Sequence, residues 1–118
     1  MDRAQHMLKT LIVEAIGNVT TASVSSLIAQ LVDDMESMAT LNRYTPFSSW
    51  YKGEHGQVYR RLRSTARTLQ LTLKRSTESR DKALLPFAQE YYDQVSSRGG
   101  GSGHEISAAI KRWREAAQ

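Results

Sequence analysis

The chain has 118 residues, no cysteine and a net charge of +4, with 40% hydrophobic and 24% charged residues. This length suits one domain with a modest core, and the lack of cysteine excludes a disulfide framework, thiolate zinc sites and cysteine catalysis. The sequence predicts no transmembrane span and no secretory signal, because Lys9 and Glu14 interrupt the first apolar segment. We therefore expect an intracellular protein, cytoplasmic or nuclear.

Two amphipathic patterns occupy the first 40 residues. They predict a first helix over roughly residues 3–16, ended by Gly17 and Asn18, and a second helix over roughly residues 21–39. Thr20, Thr21 or Ser23 is expected to cap the second helix with its hydroxyl. The apolar stripes that carry these predictions are Ala4, Leu8, Leu11, Ile12, Ala15 and Ile16, then Val24, Leu27, Ile28, Leu31, Val32, Met35 and Met38.

The helical period disappears between residues 40 and 53. Pro46 favours extended geometry at the preceding residue, and four of the nine aromatic residues of the chain lie here. So many large rings in one connection must pack on the core or on a partner. Methionine side chains adapt to varied partners, and two of them end the second helix. We therefore expect any peptide-binding groove to lie where these methionines meet the aromatic rings. The candidate groove residues are Met35, Met38, Phe47, Trp50 and Tyr51.

A third helix is expected over roughly residues 55–76 and a fourth from about Ser79, with Pro86 near its first turns. Residues 58–98 hold nine lysines and arginines against four acidic residues, so the basic character of the chain is local. One face of the third helix aligns basic side chains at i, i+3 and i+7, with a lysine one heptad further on and Tyr59 adjacent for stacking. Such a face could contact phosphates or an acidic protein, although a solvated helix surface is the simpler explanation. These residues are Arg60, Arg63, Arg67 and Lys74.

The C-terminal segment differs from the rest of the chain. Residues 99–103 read GGGSG, the composition of a flexible engineered linker, although a natural glycine-rich loop remains an alternative. Residues 104–118 then form an amphipathic pattern typical of a helix that docks in a groove. The expected anchors are Ile106, Ala109, Ile110 and Trp113. The basic residues beside this stripe are expected to face solvent or an acidic rim formed by Asp33, Asp34 and Glu36 of the second helix.

No catalytic or metal-binding pattern stands out. His6, His55 and His104 lack metal-ligand spacing and are each expected to be solvated. The carboxylates of the second helix are more typical of a solvated face than of a cation site. The serines have no visible base partner. The sequence thus predicts no cofactor, no metal and no enzymatic activity.

Taken together, the patterns predict an all-α fold: a small four-helix bundle over residues 1–98, with a fifth amphipathic helix docked through a Gly/Ser-rich linker. The expected function is non-enzymatic protein–protein interaction, in which the bundle holds an amphipathic helical peptide in an apolar groove. The alternative is a basic helical domain that binds nucleic acid or an anionic surface through the third helix.

Overall fold

The computed structural model of the chain describes residues 3–18, 20–98 and 107–117. No strand occurs in these ranges, so the all-α prediction is confirmed. None of the helices in these ranges is long and apolar enough to cross a membrane. The elements in chain order are α1 (Arg3–Asn18), α2 (Ala22–Tyr44), a 3₁₀ turn (Phe47–Ser49), α3 (Gly53–Arg75), α4 (Ser79–Lys82), α5 (Leu85–Arg98) and α6 (Ser107–Ala117).

The ends of α1 and α2 differ from the sequence expectation. α1 continues through Gly17 to Asn18, whose side-chain amide donates a hydrogen bond to the Glu14 carbonyl at 2.7 Å. α2 runs five residues beyond residue 39, because the start of the expected connection remains helical. It ends at Tyr44, and the next residue, Thr45, has the extended geometry (φ −101°, ψ 126°) that a residue before a proline prefers.

The predicted fourth helix is divided into two. The single turn α4 is followed by a turn at residues 83–84, and α5 begins at Leu85. Pro86 is thus the second residue of α5, where an amide would have no partner within the helix. The proline therefore marks a helix start rather than a kink.

The principal helix contacts close a ring in the order α1, α5, α3, α2 and α6. The apolar stripes predicted from the sequence face the interior of this ring, where their side chains form one core. Tyr59 of α3 also donates a hydrogen bond to the Val95 carbonyl of α5 at 2.8 Å. The largest side chains with less than 2% exposure are Leu8, Leu11, Ile12, Ile28, Leu31, Met35, Met38, Leu62, Leu69, Leu73, Leu84 and Tyr91.

One carboxylate of α2 is buried, contrary to the expected solvated face. Asp34 is only 3% exposed, and its Oδ1 accepts a hydrogen bond from Nε of Arg61 on α3 at 2.7 Å. Burial of a lone carboxylate is costly, so the charge is tolerated here because a guanidinium reaches it. This ion pair fixes α2 against α3.

Candidate functional site

The first candidate site is the surface of α1 and α2 against which α6 packs, called here the α6 docking site. Two of the four expected anchors, Ile110 and Trp113, are each 5% exposed and lie three residues apart on one helix face. Lys111 and Arg112 are exposed. Of the other two anchors, Ile106 and the side chain of Ala109 lie outside the described part of the chain.

Charged groups flank the α6 docking site on the α2 side. Nη2 of Arg114 lies 3.0 Å from Oδ1 of Asp33, and the same guanidinium donates to both carboxylate oxygens of Glu36. The hydrogen bond to Glu36, with a further one to Asp33, holds the pKa of Arg114 above its usual value. Asp33 and Glu36 therefore occupy the position expected of an acidic rim, whereas Asp34 faces Arg61 instead.

The aromatic connection forms a separate cluster beside the start of α3. Trp50 stacks on His55 with 5.1 Å between ring centroids, and Phe47 lies 4.9 Å from Trp50. Even with α6 docked, Phe47 is 80% exposed and Tyr51 is 43% exposed, so α6 does not cover these rings. Met35 and Met38, the other groove candidates, are fully buried in the common core. The five candidates therefore do not share one exposed surface.

His55 is 2% exposed, so the expectation that it is solvated is wrong. Its Nδ1 accepts a hydrogen bond from the Tyr51 amide at 2.8 Å, and its Nε2 lies 2.6 Å from Oδ1 of Asn42. A backbone N–H can only donate, so Nδ1 of His55 carries no proton. Nε2 therefore carries the proton and donates it to Oδ1 of Asn42. Burial lowers the pKa of His55, which favours this neutral form. Of the other two histidines, His6 is exposed as expected and His104 lies outside the described residues.

The basic face of α3 opens onto a second candidate site. Arg60, Arg63, Ser64, Arg67 and Tyr92 line a surface pocket of about 260 Å³. The three arginines meet there as their helical spacing predicts. Lys74, the fourth residue expected on this face, is exposed and does not line the pocket.

Tyr92 of α5 also lines this pocket, and the sequence did not predict it as a site residue. The guanidinium of Arg67 lies 5.7 Å from the Tyr92 ring centroid, and its Nη1 lies 3.4 Å from the phenol oxygen. Periodicity places residues on a face of their own helix but does not say which helix lies opposite. The only signal was a tyrosine at the edge of the α5 stripe.

No group of three histidine, aspartate or glutamate side chains is arranged to hold a metal ion in the described ranges. No family model, curated protein or solved structure matches the chain. Its function must therefore be inferred from its own residues.

Proposed function

We propose that residues 1–98 form a non-enzymatic domain of four main helices (α1, α2, α3 and α5) that binds an amphipathic helical peptide between α1 and α2. Residues 104–118 are such a peptide, joined to the domain through the glycine-rich residues 99–103. The partner in this proposal is a protein segment with the same pattern of apolar anchors and flanking positive charge.

The burial of Ile110 and Trp113 against α1 and α2, with Arg114 paired at the edge, carries the proposal. These contacts support helix-in-groove recognition, in which a few large anchors supply most of the binding energy. Tryptophan suits the role because it removes a large apolar area from water while losing few rotatable bonds.

The division of the core also supports a separable domain. Among the side chains that the structure describes, all the buried hydrophobic ones except Ile110 and Trp113 come from α1, α2, α3, α5 and the turn before α5. α6 contacts α1 and α2, at the part of the helix ring between them. We therefore expect the other helices to keep a common core when α6 leaves.

The linker makes the proposed complex intramolecular. Eight residues separate α5 from α6, and an extended chain spans at most ~3.3–3.6 Å per residue. A short flexible tether produces an effective concentration in the millimolar range. A peptide that binds only weakly as a free molecule would then occupy its site most of the time.

The test is to mix residues 1–98 with a separate peptide of residues 104–118 and to measure binding by calorimetry. We expect saturable binding that Trp113→Ala in the peptide weakens by roughly 30-fold or more, since truncating a buried anchor costs about 2–4 kcal/mol. Lys111→Ala, at an exposed position of the same helix, is the matched control and should change affinity by less than about twofold.

Two outcomes would contradict the proposal. Residues 1–98 could lose cooperative unfolding on their own, which would make α6 part of the core. Alternatively, the Trp113→Ala and Lys111→Ala peptides could bind equally, which would remove the anchor role of Trp113.

A further inference from the structure

Three arginines on consecutive turns of α3 line the surface pocket beside Tyr92, and no described carboxylate lines it with them. Arg60, Arg63 and Arg67 make no ion pair with a carboxylate in the described ranges, whereas Arg61 pairs with Asp34. Like charges at i, i+3 and i, i+4 repel by roughly 0.2–0.5 kcal/mol per pair. A ligand of opposite charge would relieve this repulsion.

Neighbouring aromatic rings hold two of the guanidinium groups in place. Arg63 lies 6.0 Å from the centroid of Tyr59, whose hydroxyl is itself fixed by the Val95 carbonyl. The guanidinium of Arg67 lies over the Tyr92 ring and donates a hydrogen bond to the Tyr92 hydroxyl. Such cation–π contacts restrict long, flexible side chains and reduce the entropy lost when a ligand binds.

We propose that this pocket binds the dianionic phosphoryl group of a phosphomonoester. A guanidinium presents donors in a planar fork that matches phosphate oxygens, and a monoester offers three such oxygens with a charge near −2 at neutral pH. The volume of about 260 Å³ is slightly below the ~300–1,000 Å³ of pockets that enclose small molecules. The pocket thus suits a head group rather than a whole ligand.

A nucleic-acid backbone fits this surface less well than a monoester does. Each diester phosphate carries a single charge, and binding a strand requires cations that follow the backbone. The next cation on the same face, Lys74, lies seven residues beyond Arg67 and outside the pocket, about 10 Å further along the helix. The three arginines and Tyr92 instead line one local pocket.

The test titrates the intact chain with phenyl phosphate and inorganic phosphate, followed by NMR of the arginine side chains. We expect saturable shifts at Arg63, Arg67 and Tyr92. Affinity should fall about fivefold or more from about pH 7.5 to about pH 5, because the second phosphate pKa is near 6. Dimethyl phosphate, a monoanionic diester, should bind more weakly and with affinity nearly constant over that range.

Matched variants separate a specific site from general attraction. Arg67→Gln should weaken phenyl phosphate binding about tenfold, the usual scale for losing a charge-assisted hydrogen bond. Lys74→Gln removes the same charge from the same helix and should weaken it less than about twofold. Circular dichroism of both variants would verify that the exposed substitutions leave the fold intact.

Several results would overturn the proposal: equal losses in the two variants, no saturable binding of either monoester at millimolar concentration, or an affinity that is unchanged at acidic pH. Tight, steeply salt-dependent binding of an oligothymidylate without terminal phosphates would instead assign the surface to nucleic acid. Binding of the free phosphates but not of a phosphoserine peptide would indicate a small-molecule ligand for the same site.

Discussion

Thr21 and Asp81, sixty positions apart, are joined by two hydrogen bonds: the Thr21 amide donates to Oδ1 at 3.1 Å and its hydroxyl donates to Oδ2 at 2.9 Å. The Ser76 hydroxyl also donates to Oδ2 at 3.1 Å. Thr21 is the residue before α2, and Ser76 follows α3 directly. One carboxylate, 2% exposed, therefore connects the ends of three helices. Its charge is also favourable beside the positive end of the α2 dipole.

Replacement of Asp81 should destabilise the fold more than an ordinary surface change. Asp81→Ala is expected to lower the free energy of unfolding by about 2–4 kcal/mol, because it leaves the Thr21 amide and two hydroxyls without their acceptor. Urea denaturation of the intact chain measures this change. Glu78→Gln, at an exposed neighbouring position, is the control and should shift stability by less than about 0.5 kcal/mol. Equal midpoints for the two variants would contradict the role assigned to Asp81.

The Thr21–Asp81 contact also illustrates what the sequence could predict. The repeat of apolar residues located the helices and the inward faces, because burial of those faces is what stabilises a helix in a small domain. It began the second helix at about residue 21 and named Thr20, Thr21 and Ser23 as possible caps, and Thr21 is the N-cap residue of α2. However, its hydroxyl makes no capping bond, contrary to expectation, because the Asp81 carboxylate is available from another part of the chain.

Two buried polar residues were also missed because their partners come from other parts of the chain. Asp34 and His55 were expected to be solvated, yet each is buried with a partner from a different element, Arg61 or Asn42. A periodic pattern shows which face of a helix is apolar. It does not show which polar side chain at the edge of that face will meet a donor or acceptor on the next helix.

Two glycines provide a matched test of backbone packing. A Cβ on Gly56 would lie 2.5 Å from the carbonyl oxygen of Tyr51, whereas a Cβ on Gly17 would meet nothing within 4 Å. Tyr51 has a left-handed φ of 65°, a costly geometry for an aromatic residue that leaves its backbone little room to move.

Substituting each glycine by alanine should therefore have opposite effects. Gly17→Ala should stabilise the fold by about 0.5–1 kcal/mol, because alanine favours a helix more than glycine does. Gly56→Ala should destabilise it by about 1–3 kcal/mol despite the same helical preference. Thermal unfolding of both variants measures the difference. A stabilised Gly56→Ala protein would show that Tyr51 can move away at little cost.

The ion pairs at the edge of α6 predict a charge-reversal effect. Arg114→Glu should weaken docking of the peptide of residues 104–118 to residues 1–98 by about twofold to fivefold at low salt, since exposed ion pairs contribute up to about 1 kcal/mol. Glu36→Arg in the domain should recover part of that loss by restoring an opposite charge. The differences should shrink in about 1 M salt, where charges are screened within about 3 Å. Calorimetry of the four combinations measures the coupling, and strictly additive effects would mean that the two residues do not interact.

His55 gives the fold a pH dependence with a definite sign. Burial lowers its pKa below the ordinary value of 6.5, so the unfolded chain binds a proton at higher pH than the folded protein does. The contribution of His55 is complete above about pH 6.5 and is lost as the pH falls towards the folded-state pKa. Protonation of Nδ1 would also remove the acceptor of the Tyr51 amide.

Urea denaturation between about pH 7.5 and about pH 5.5, above the range where carboxylates titrate, should therefore show stability decreasing with acid. His55→Gln should be less stable at neutral pH, because the ring packed beside Trp50 is lost, but its stability should depend less on pH. His6→Gln, at an exposed position, should keep the slope of the original chain. If the pH dependence of stability persists in His55→Gln and disappears in His6→Gln, the acid sensitivity comes from His6 and the role given to His55 is wrong.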